Sequence, residues 1–214
     1  MIDVIRATST ICQALASGFE RVYCVAEVED GPALKDALGG SVTLGGERDA
    51  VLIPGYDLGN SPREYLEPRA ETLVLSTTNG TRAVLAAAER CERVLVASML
   101  NLAAVVEAAR EGGGDVVVVC AGVQGAFALD DAYVAGRIAE ALDGDRTDAA
   151  EAAVRLAGTW GVAEEAFRAS KSGRNLLRNA PHLEDDIPFC ARESALAIAP
   201  RLVGTRNGAA EIAA

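Results

Sequence analysis

Chemistry-bearing side chains follow several short apolar segments of this 214-residue chain, at the points where those segments end. In an open α/β sheet, ligands bind in the crevice outside the carboxyl ends of the strands. The residues that we expect at this edge are Asp3, Arg6, Thr8, Ser9, Glu47, Arg48, Thr77, Thr78, Asn79, Gly80, Thr81, Gly122, Asp130 and Asp131. Carboxylates suit Mg²⁺ and arginine forks suit phosphate oxygens, so this set favours a phosphorylated ligand.

The segment Ser76–Thr81, with the sequence STTNGT, leads directly into an alanine-rich helical pattern. A threonine or asparagine there caps the first turn, and the free N–H groups and positive dipole end of the helix favour an anion. Gly80 lets the backbone approach a ligand closely. The segment therefore predicts a phosphate or sulfonate site, and an ordinary helix cap with a glycine turn is the alternative.

A polar segment rich in glycine and proline, residues 45–69, separates two predicted strands and carries no helical pattern. It is too long for an ordinary connection, and such loops are usually functional or disordered. Besides Glu47 and Arg48 it contains Asn60 and Ser61. We predict a binding loop here, with a solvated surface loop as the alternative.

Asp3, Asp130 and Asp131 are the remaining candidate acids. Asp3 could be a metal ligand or an acyl-phosphate nucleophile, since carboxylates serve both roles, or a structural aspartate at a strand end. Asp130 and Asp131 open a predicted helix, where acids are common because of the helix dipole alone. The chain has no G-x-S-x-G elbow, no Walker A sequence and no G-x-G-x-x-G after a strand.

Composition narrows the classes of partner. A formal net charge of −11 argues against nucleic acid and against an anionic membrane, but a few local arginines can still bind a small anion. The five cysteines are scattered and form no C-x-x-C pair, which favours a reducing cytosol over a disulfide scaffold. A homodimer is expected only because dimers are common among small enzymes.

Short apolar runs alternate with alanine-rich helical patterns, which predicts a layered α/β/α fold with a mostly parallel sheet. We expect one domain over residues 1–214, with a helical part from about residue 145 that could form a second lobe and a frayed end at Gly208–Ala214. The predicted strands are Arg21–Ala26, Val42–Leu44, Thr72–Ser76, Arg93–Ala97 and Val116–Cys120. The predicted helices are Ser9–Ser17, Pro32–Leu38, Thr81–Arg90, Leu102–Glu111, Asp130–Leu142, Asp148–Gly158 and Ala163–Ala169.

Four blocks, taken together and in order, resemble the 2-phosphosulfolactate phosphatase family. They are D-V-I-R-A-T-S-T, G-E-R-x-x-x-x-I-P-G-Y-D-L-G-N-S-P-x-E-Y, T-T-N-G-T-R-A and C-A-G-x-x-G-x-F-x-L-D-D. The resemblance implies an α/β fold and a Mg²⁺-dependent phosphatase. Members of the family hydrolyse 2-phospho-3-sulfolactate to 3-sulfolactate and phosphate, a step towards coenzyme M.

The resemblance supports positions more than roles, and the roles follow from chemistry. Asp3, Glu47 and one acid of the pair Asp130 and Asp131 are expected to hold Mg²⁺ or its waters, while Asp3, Arg6, Glu47 and Arg48 form the catalytic set. The residues expected to shape the substrate site are Thr8, Ser9, Asn60, Ser61, Thr77, Thr78, Asn79, Gly80, Thr81 and Gly122.

The chain also departs from the pattern that the resemblance implies. Ser172 stands where the family commonly has a histidine, and Ser194 where a late aspartate is usual. Family members usually carry a further strand-forming segment ahead of the aspartate, whereas only Met1 and Ile2 precede Asp3 here. We therefore expect a truncated first strand, incomplete cover of one sheet edge or of the space beside Ile2–Ile5, and Asp3 in one cleft with Glu47 and Asn79. An inactive paralogue that binds an anionic metabolite is the alternative function.

Overall fold

The computed structural model describes all 214 residues. Six strands form one sheet in the order β3-β2-β4-β1-β6-β5. The strands are β1 Arg21–Cys24, β2 Val42–Arg48, β3 Val51–Leu52, β4 Thr72–Ser76, β5 Arg201–Arg206 and β6 Ala209–Ala213. The three central strands β2, β4 and β1 are parallel, and the three outer pairings are antiparallel. This confirms the predicted layered α/β fold with a mostly parallel centre.

Each predicted helix forms, with ends shifted by no more than two residues. The helices are α1 Ala7–Ser17, α2 Asp30–Leu38, α3 Gly80–Ala88, α4 Leu102–Gly112, α5 Leu129–Ala141, α6 Asp148–Ala157, α7 Ala163–Ala169, α8 Lys171–Asn179 and α9 Asp186–Cys190. Two of them, α8 and α9, were not predicted. None of the helices is long and apolar enough to cross a lipid bilayer.

Helices cover both faces of the sheet. On one face α1 and α3 pack through residues such as Ile11 and Val84, and on the other α2 packs through Leu34. A further core beside the sheet joins α4, α5, α7, α8 and α9, where Tyr133 and Phe167 meet edge to face at 5.9 Å. Burial on both faces explains why the middle of the central strand β4 is the continuous apolar run Leu73–Leu75.

The C-terminus differs from the prediction. Gly208–Ala214 does not fray, because Ala209–Ala213 forms strand β6, which is buried between β1 and β5. Asn207 and Gly208 both have positive φ, 50° and 77°, as a tight two-residue hairpin turn requires. The long segment 45–69 also contains more structure than predicted: the end of β2, strand β3 and a 3-10 turn at Pro62–Tyr65.

The predicted strands Arg93–Ala97 and Val116–Cys120 are wrong as regular strands. They meet only through isolated bridges to Ile2, which lies between Ala97 and Cys120. Residues 116–118 donate and accept no backbone hydrogen bond, so no ladder extends from that bridge. Both segments consist of strand-forming residues. What residues 116–118 lack is a neighbouring strand to bond to.

A groove of about 430 Å³ lies next to Met1, between these two segments. Hydrophobic residues form most of its lining, and Val117 is 74% exposed. The Met1 ammonium donates to the Leu95 carbonyl at 2.8 Å, and burial lowers its pKa to about 6. The uncovered space thus lies at Met1, whereas Ile2 and Val4 are themselves fully buried, so the expectation of an incompletely covered space beside Ile2–Ile5 is met only at its start.

A short valine-rich extension placed ahead of Met1 should raise the melting temperature. It would pair with residues 116–118, which make no backbone hydrogen bond, bury Val116 and Val117, and replace the buried ammonium with a peptide group. Each kcal/mol gained should add about 2–4 °C in a chain of this size. Thermal unfolding followed by circular dichroism measures the shift. A glycine-serine extension of equal length is the control, and an equal shift from it would contradict strand pairing.

Candidate active site

One cleft of about 100 Å³ opens beyond the carboxyl ends of β2 and β4. Fifteen residues line it: Asp3, Ile5, Arg6, Glu47, Asp49, Ala50, Asn60, Thr78, Asn79, Val123, Gln124, Ser172, Asn175, Leu176 and Asn179. The expectation that Asp3, Glu47 and Asn79 share one cleft is confirmed. The other predicted site residues lie behind this wall, and what each of them contacts follows below.

Asp3 is held at the cleft by the turn that follows it. Its backbone N–H donates to Thr8 Oγ1 at 3.2 Å, and the Thr8 hydroxyl donates back to the Asp3 carbonyl at 2.9 Å. The Ser9 hydroxyl donates to the Val4 carbonyl at 2.8 Å. Thr8 and Ser9 are fully buried, so the structure places their side chains on the backbone around Asp3 and outside the cleft.

Asp131 holds the same turn through hydrogen bonds from the backbone. Its two carboxylate oxygens accept from the N–H groups of Val4 at 2.9 Å and Gly122 at 3.0 Å. Gly122 has a φ of +72°, and a Cβ there would lie 2.5 Å from the Ala126 carbonyl oxygen. Asp131 and Gly122 thus tie the end of one segment to the start of the next.

The buried carboxyl groups of Asp3, Asp130 and Asp131 lie close together, and there are fewer cations than carboxyl groups around them. Burial, followed by the charges of Asp130 and Glu47, raises the pKa of Asp3 to about 7. Burial also raises the pKa of Asp130 to about 6, although a hydrogen bond from Ser172 at 3.0 Å opposes this shift. The pKa of Asp131 is raised well above its usual value by burial and by both neighbours.

Glu47 joins β2 to the loop that follows β4. Its Oε1 accepts from the N–H and the hydroxyl of Thr78, each at 3.0 Å, and its Oε2 accepts from the Ala50 N–H at 2.8 Å. Arg48 points away from the cleft, where it donates to Ser76 Oγ at 2.8 Å and to two backbone carbonyls. Its expected contact with phosphate stays a prediction.

The start of α3 forms another part of the wall. Thr77 and Thr81 bond to each other across its first turn and are buried, whereas Asn79 lines the cleft and accepts from the Gln124 N–H at 3.2 Å. A Cβ on Gly80 would lie 2.5 Å from the Ala7 Cβ and 2.8 Å from Asp3 Oδ2. Glycine therefore allows α3 to begin directly against Asp3.

Arg6 is the cation of the cleft wall. It is 4% exposed, and its Nη1 donates to Asp186 Oδ2 at 2.7 Å. Ser61 lies behind Arg6, where its hydroxyl donates to Asp186 Oδ1 at 2.7 Å. The neighbouring Asn60 reaches the cleft, and its Oδ1 is buried with no hydrogen-bond partner.

Helix α8 supplies a side of the cleft that the sequence did not predict. Ser172, Asn175, Leu176 and Asn179 all line it. Their spacing of three, four and seven residues places them on one helical face, which is the signal that could have identified them. Ser172, which stands where the resemblance implies a histidine, bonds to Asp130.

The charge balance of the cleft decides which ligands can enter it. Asp3, Glu47 and Asp49 oppose the single cation Arg6 along the wall. A substrate with several negative charges would be repelled unless a cation entered with it.

No three side chains among the histidines, cysteines, aspartates and glutamates lie close enough to form a complete metal cage. Mg²⁺ needs only one or two carboxylates, with waters and substrate phosphate as its other ligands. The oxygen donors Asp3 and Asn60 both line the cleft and fit that requirement, and Asp130 lies near enough for its charge to raise the pKa of Asp3.

Comparison with known proteins identifies the family of this chain. The sequence profile of the 2-phosphosulpholactate phosphatase family matches residues 1–205. A probable 2-phosphosulfolactate phosphatase of Thermus thermophilus is 39% identical over 211 residues, which cover 95% of this chain and 87% of that protein. A protein with the same description in Thermotoga maritima is 40% identical over 207 residues, which cover 95% of this chain and 88% of that protein. Another in Clostridium acetobutylicum is 34% identical over 211 residues, which cover 94% of this chain and 87% of that protein. The resemblance seen in the sequence is confirmed: the chain belongs to the 2-phosphosulfolactate phosphatase family.

Proposed function

We propose that the protein is a Mg²⁺-dependent phosphatase that hydrolyses 2-phospho-3-sulfolactate, or a related small 2-phospho acid, to the hydroxy acid and phosphate. The observation that carries this proposal is the single cleft in which Asp3, Arg6 and the start of α3 meet. Phosphoryl transfer depends mainly on positioning and on neutralising charge, and these are the groups that such a site needs. The family to which the chain belongs supports the same reaction.

In this proposal Arg6 binds the equatorial oxygens of the phosphoryl group, and Thr78 and Asn79 orient it at the positive end of α3. Asp3 either attacks phosphorus or removes a proton from the attacking water, and its raised pKa suits proton transfer near neutral pH. Asp3, Asp130 and Asn60 would hold Mg²⁺, with Glu47 in reach of its waters. When bound, Mg²⁺ would supply positive charge to the phosphate oxygens.

Phosphate release from 2-phospho-3-sulfolactate, with Mg²⁺ and with a chelator, tests this proposal. We expect release only with the metal. A panel of 2-phospho acids with and without the sulfonate then identifies the preferred substrate. If no member of the panel is hydrolysed while the protein still binds them, the non-enzymatic alternative, a paralogue that binds an anionic metabolite, is correct. Ser172, in place of the expected histidine, is the observation that favours that alternative.

Gly80→Ala should lower kcat/KM about tenfold or more, since the added Cβ would displace Asp3 or α3 and misplacement by an ångström can cost this much. Gly158→Ala is the matched control, because a Cβ there meets its nearest atoms at 3.6 Å. Steady-state kinetics at saturating Mg²⁺, alongside a thermal unfolding curve, separate this effect from unfolding. Unchanged kinetics in a folded Gly80→Ala protein would contradict the close fit of α3 against Asp3.

We further propose that the reaction takes place in the cytoplasm, that its product enters coenzyme M synthesis, and that the protein forms a homodimer. The support for a reducing compartment is that all five cysteines are free. Sedimentation of the purified protein measures the oligomeric state.

A further inference from the structure

A buried acid far along the chain lies against the one arginine of the cleft. Asp186, in α9, is fully buried and is 180 residues away from Arg6 in sequence. Its Oδ2 accepts from Arg6 Nη1 at 2.7 Å, and its Oδ1 accepts from the Ser61 hydroxyl at 2.7 Å. Arg63 approaches the same Oδ1 at 3.7 Å. Both oxygens of Asp186 are therefore engaged, and the carboxylate has one fixed orientation.

This geometry leaves part of the Arg6 guanidinium available. Nη1 is the only guanidinium nitrogen of Arg6 with a hydrogen-bond partner, although the group carries five N–H donors. Arg6 lines the cleft, and its other donors have no partner within the protein, so they are available to an anion that enters the cleft. A buried ion pair contributes little net stability, because the loss of solvation offsets the attraction. Its value here lies in holding a long, flexible cation in one place.

We propose that Asp186, with Ser61 behind it, is the positioning residue that aims Arg6 at the phosphate of the substrate. The ion pair fixes Nη1, and the planarity of the guanidinium then fixes the direction of Nε and Nη2. The inference rests on the proposed function only in taking the ligand of Arg6 to be a phosphate. It also assigns a role to Ser61 that differs from the predicted contact with substrate.

Binding of inorganic phosphate, measured by calorimetry with Mg²⁺ and well below the unfolding temperature, tests the proposal without turnover. Asp186→Asn should weaken binding about tenfold or more through misplacement of Arg6. Ser61→Ala, which keeps both charges, should weaken it about two- to tenfold, as the loss of one hydrogen bond implies. Asp185→Asn is the matched control, since the Asp185 side chain is 77% exposed and should leave binding unchanged.

A purely structural role for Asp186 would lower the melting temperature without changing the phosphate affinity of the folded protein, and that result would overturn the proposal. If Asp186→Asn does not fold, Ser61→Ala decides, and unchanged affinity there overturns it. Rescue adds a second readout. Guanidinium chloride should restore phosphate binding to Arg6→Ala but not to Arg6→Ala combined with Asp186→Asn, and equal restoration in both would contradict the role of Asp186. These experiments use inorganic phosphate alone. A failure to hydrolyse phosphosulfolactate would therefore contradict the proposed function without deciding whether Asp186 positions Arg6.

Discussion

Asp3→Asn is expected to lower the rate of phosphate release by about 10²–10⁴-fold, the usual contribution of a positioned acid or base. Asparagine has nearly the same shape, so Thr8 and Asp131 can still hold the turn through backbone groups. What disappears is the negative charge that would attack phosphorus, accept a proton or bind Mg²⁺. Each of the roles open to Asp3 therefore predicts the same loss.

Phosphate release at saturating Mg²⁺ measures this loss, with Asp185→Asn as the exposed control that should keep full activity. Acid quenching followed by peptide mass spectrometry then separates the two mechanisms. A phosphorylated Asp3 peptide in the wild-type protein indicates direct attack by the carboxylate, and its absence indicates attack by water. Full activity of Asp3→Asn would remove all three roles and with them the proposed mechanism.

The central sheet and its helices could be predicted because their signals are local. The sequence TLVLS has three consecutive apolar residues, Leu73–Leu75, and becomes a strand whose two faces are both covered. The end of the chain could not be predicted in the same way, since its alanines favour a helix, whereas burial beside β1 decides in favour of β6. Asn207-Gly208 is the one local sequence signal of that hairpin.

The candidate site was predictable to the extent that it follows strand ends. Asp3 follows the bridge at Ile2, Glu47 lies at the carboxyl end of β2 and Asn79 lies in the turn after β4, so the topology brings them together. Asp186 could not be found in this way, because only the packing of α9 against the turn after Asp3 brings it to Arg6. Side-chain direction was also beyond the sequence. Thr8 and Arg48 lie at predicted positions, yet each bonds to groups outside the cleft.

The same substitution of Asp3 should stabilise the metal-free protein above neutral pH. The pKa of this carboxyl is about 7 in the folded protein against 3.8 for its usual value. The folded state therefore retains a proton that the unfolded chain releases, and wild-type stability falls as the pH rises from about 4 to about 7. The full shift corresponds to about 4 kcal/mol, so Asp3→Asn should melt on the order of 10 °C higher at pH 8.

Thermal unfolding of both proteins in a chelator, across this pH range, measures the difference. Comparison of the two proteins cancels the opposite contribution of the Met1 ammonium, whose lowered pKa makes acid destabilising. Below about pH 4 Asp3 is protonated in both states, and the gap should close. Added Mg²⁺ should narrow the gap at pH 8 by stabilising only the wild type, because a bound cation compensates the buried charge. A difference in melting temperature that widens towards acid pH, or an Asp3→Asn protein that is less stable at pH 8, would show that the charged Asp3 does not destabilise the folded protein. The carboxylate that the chemistry requires would then be stabilised by its surroundings rather than left in need of a cation.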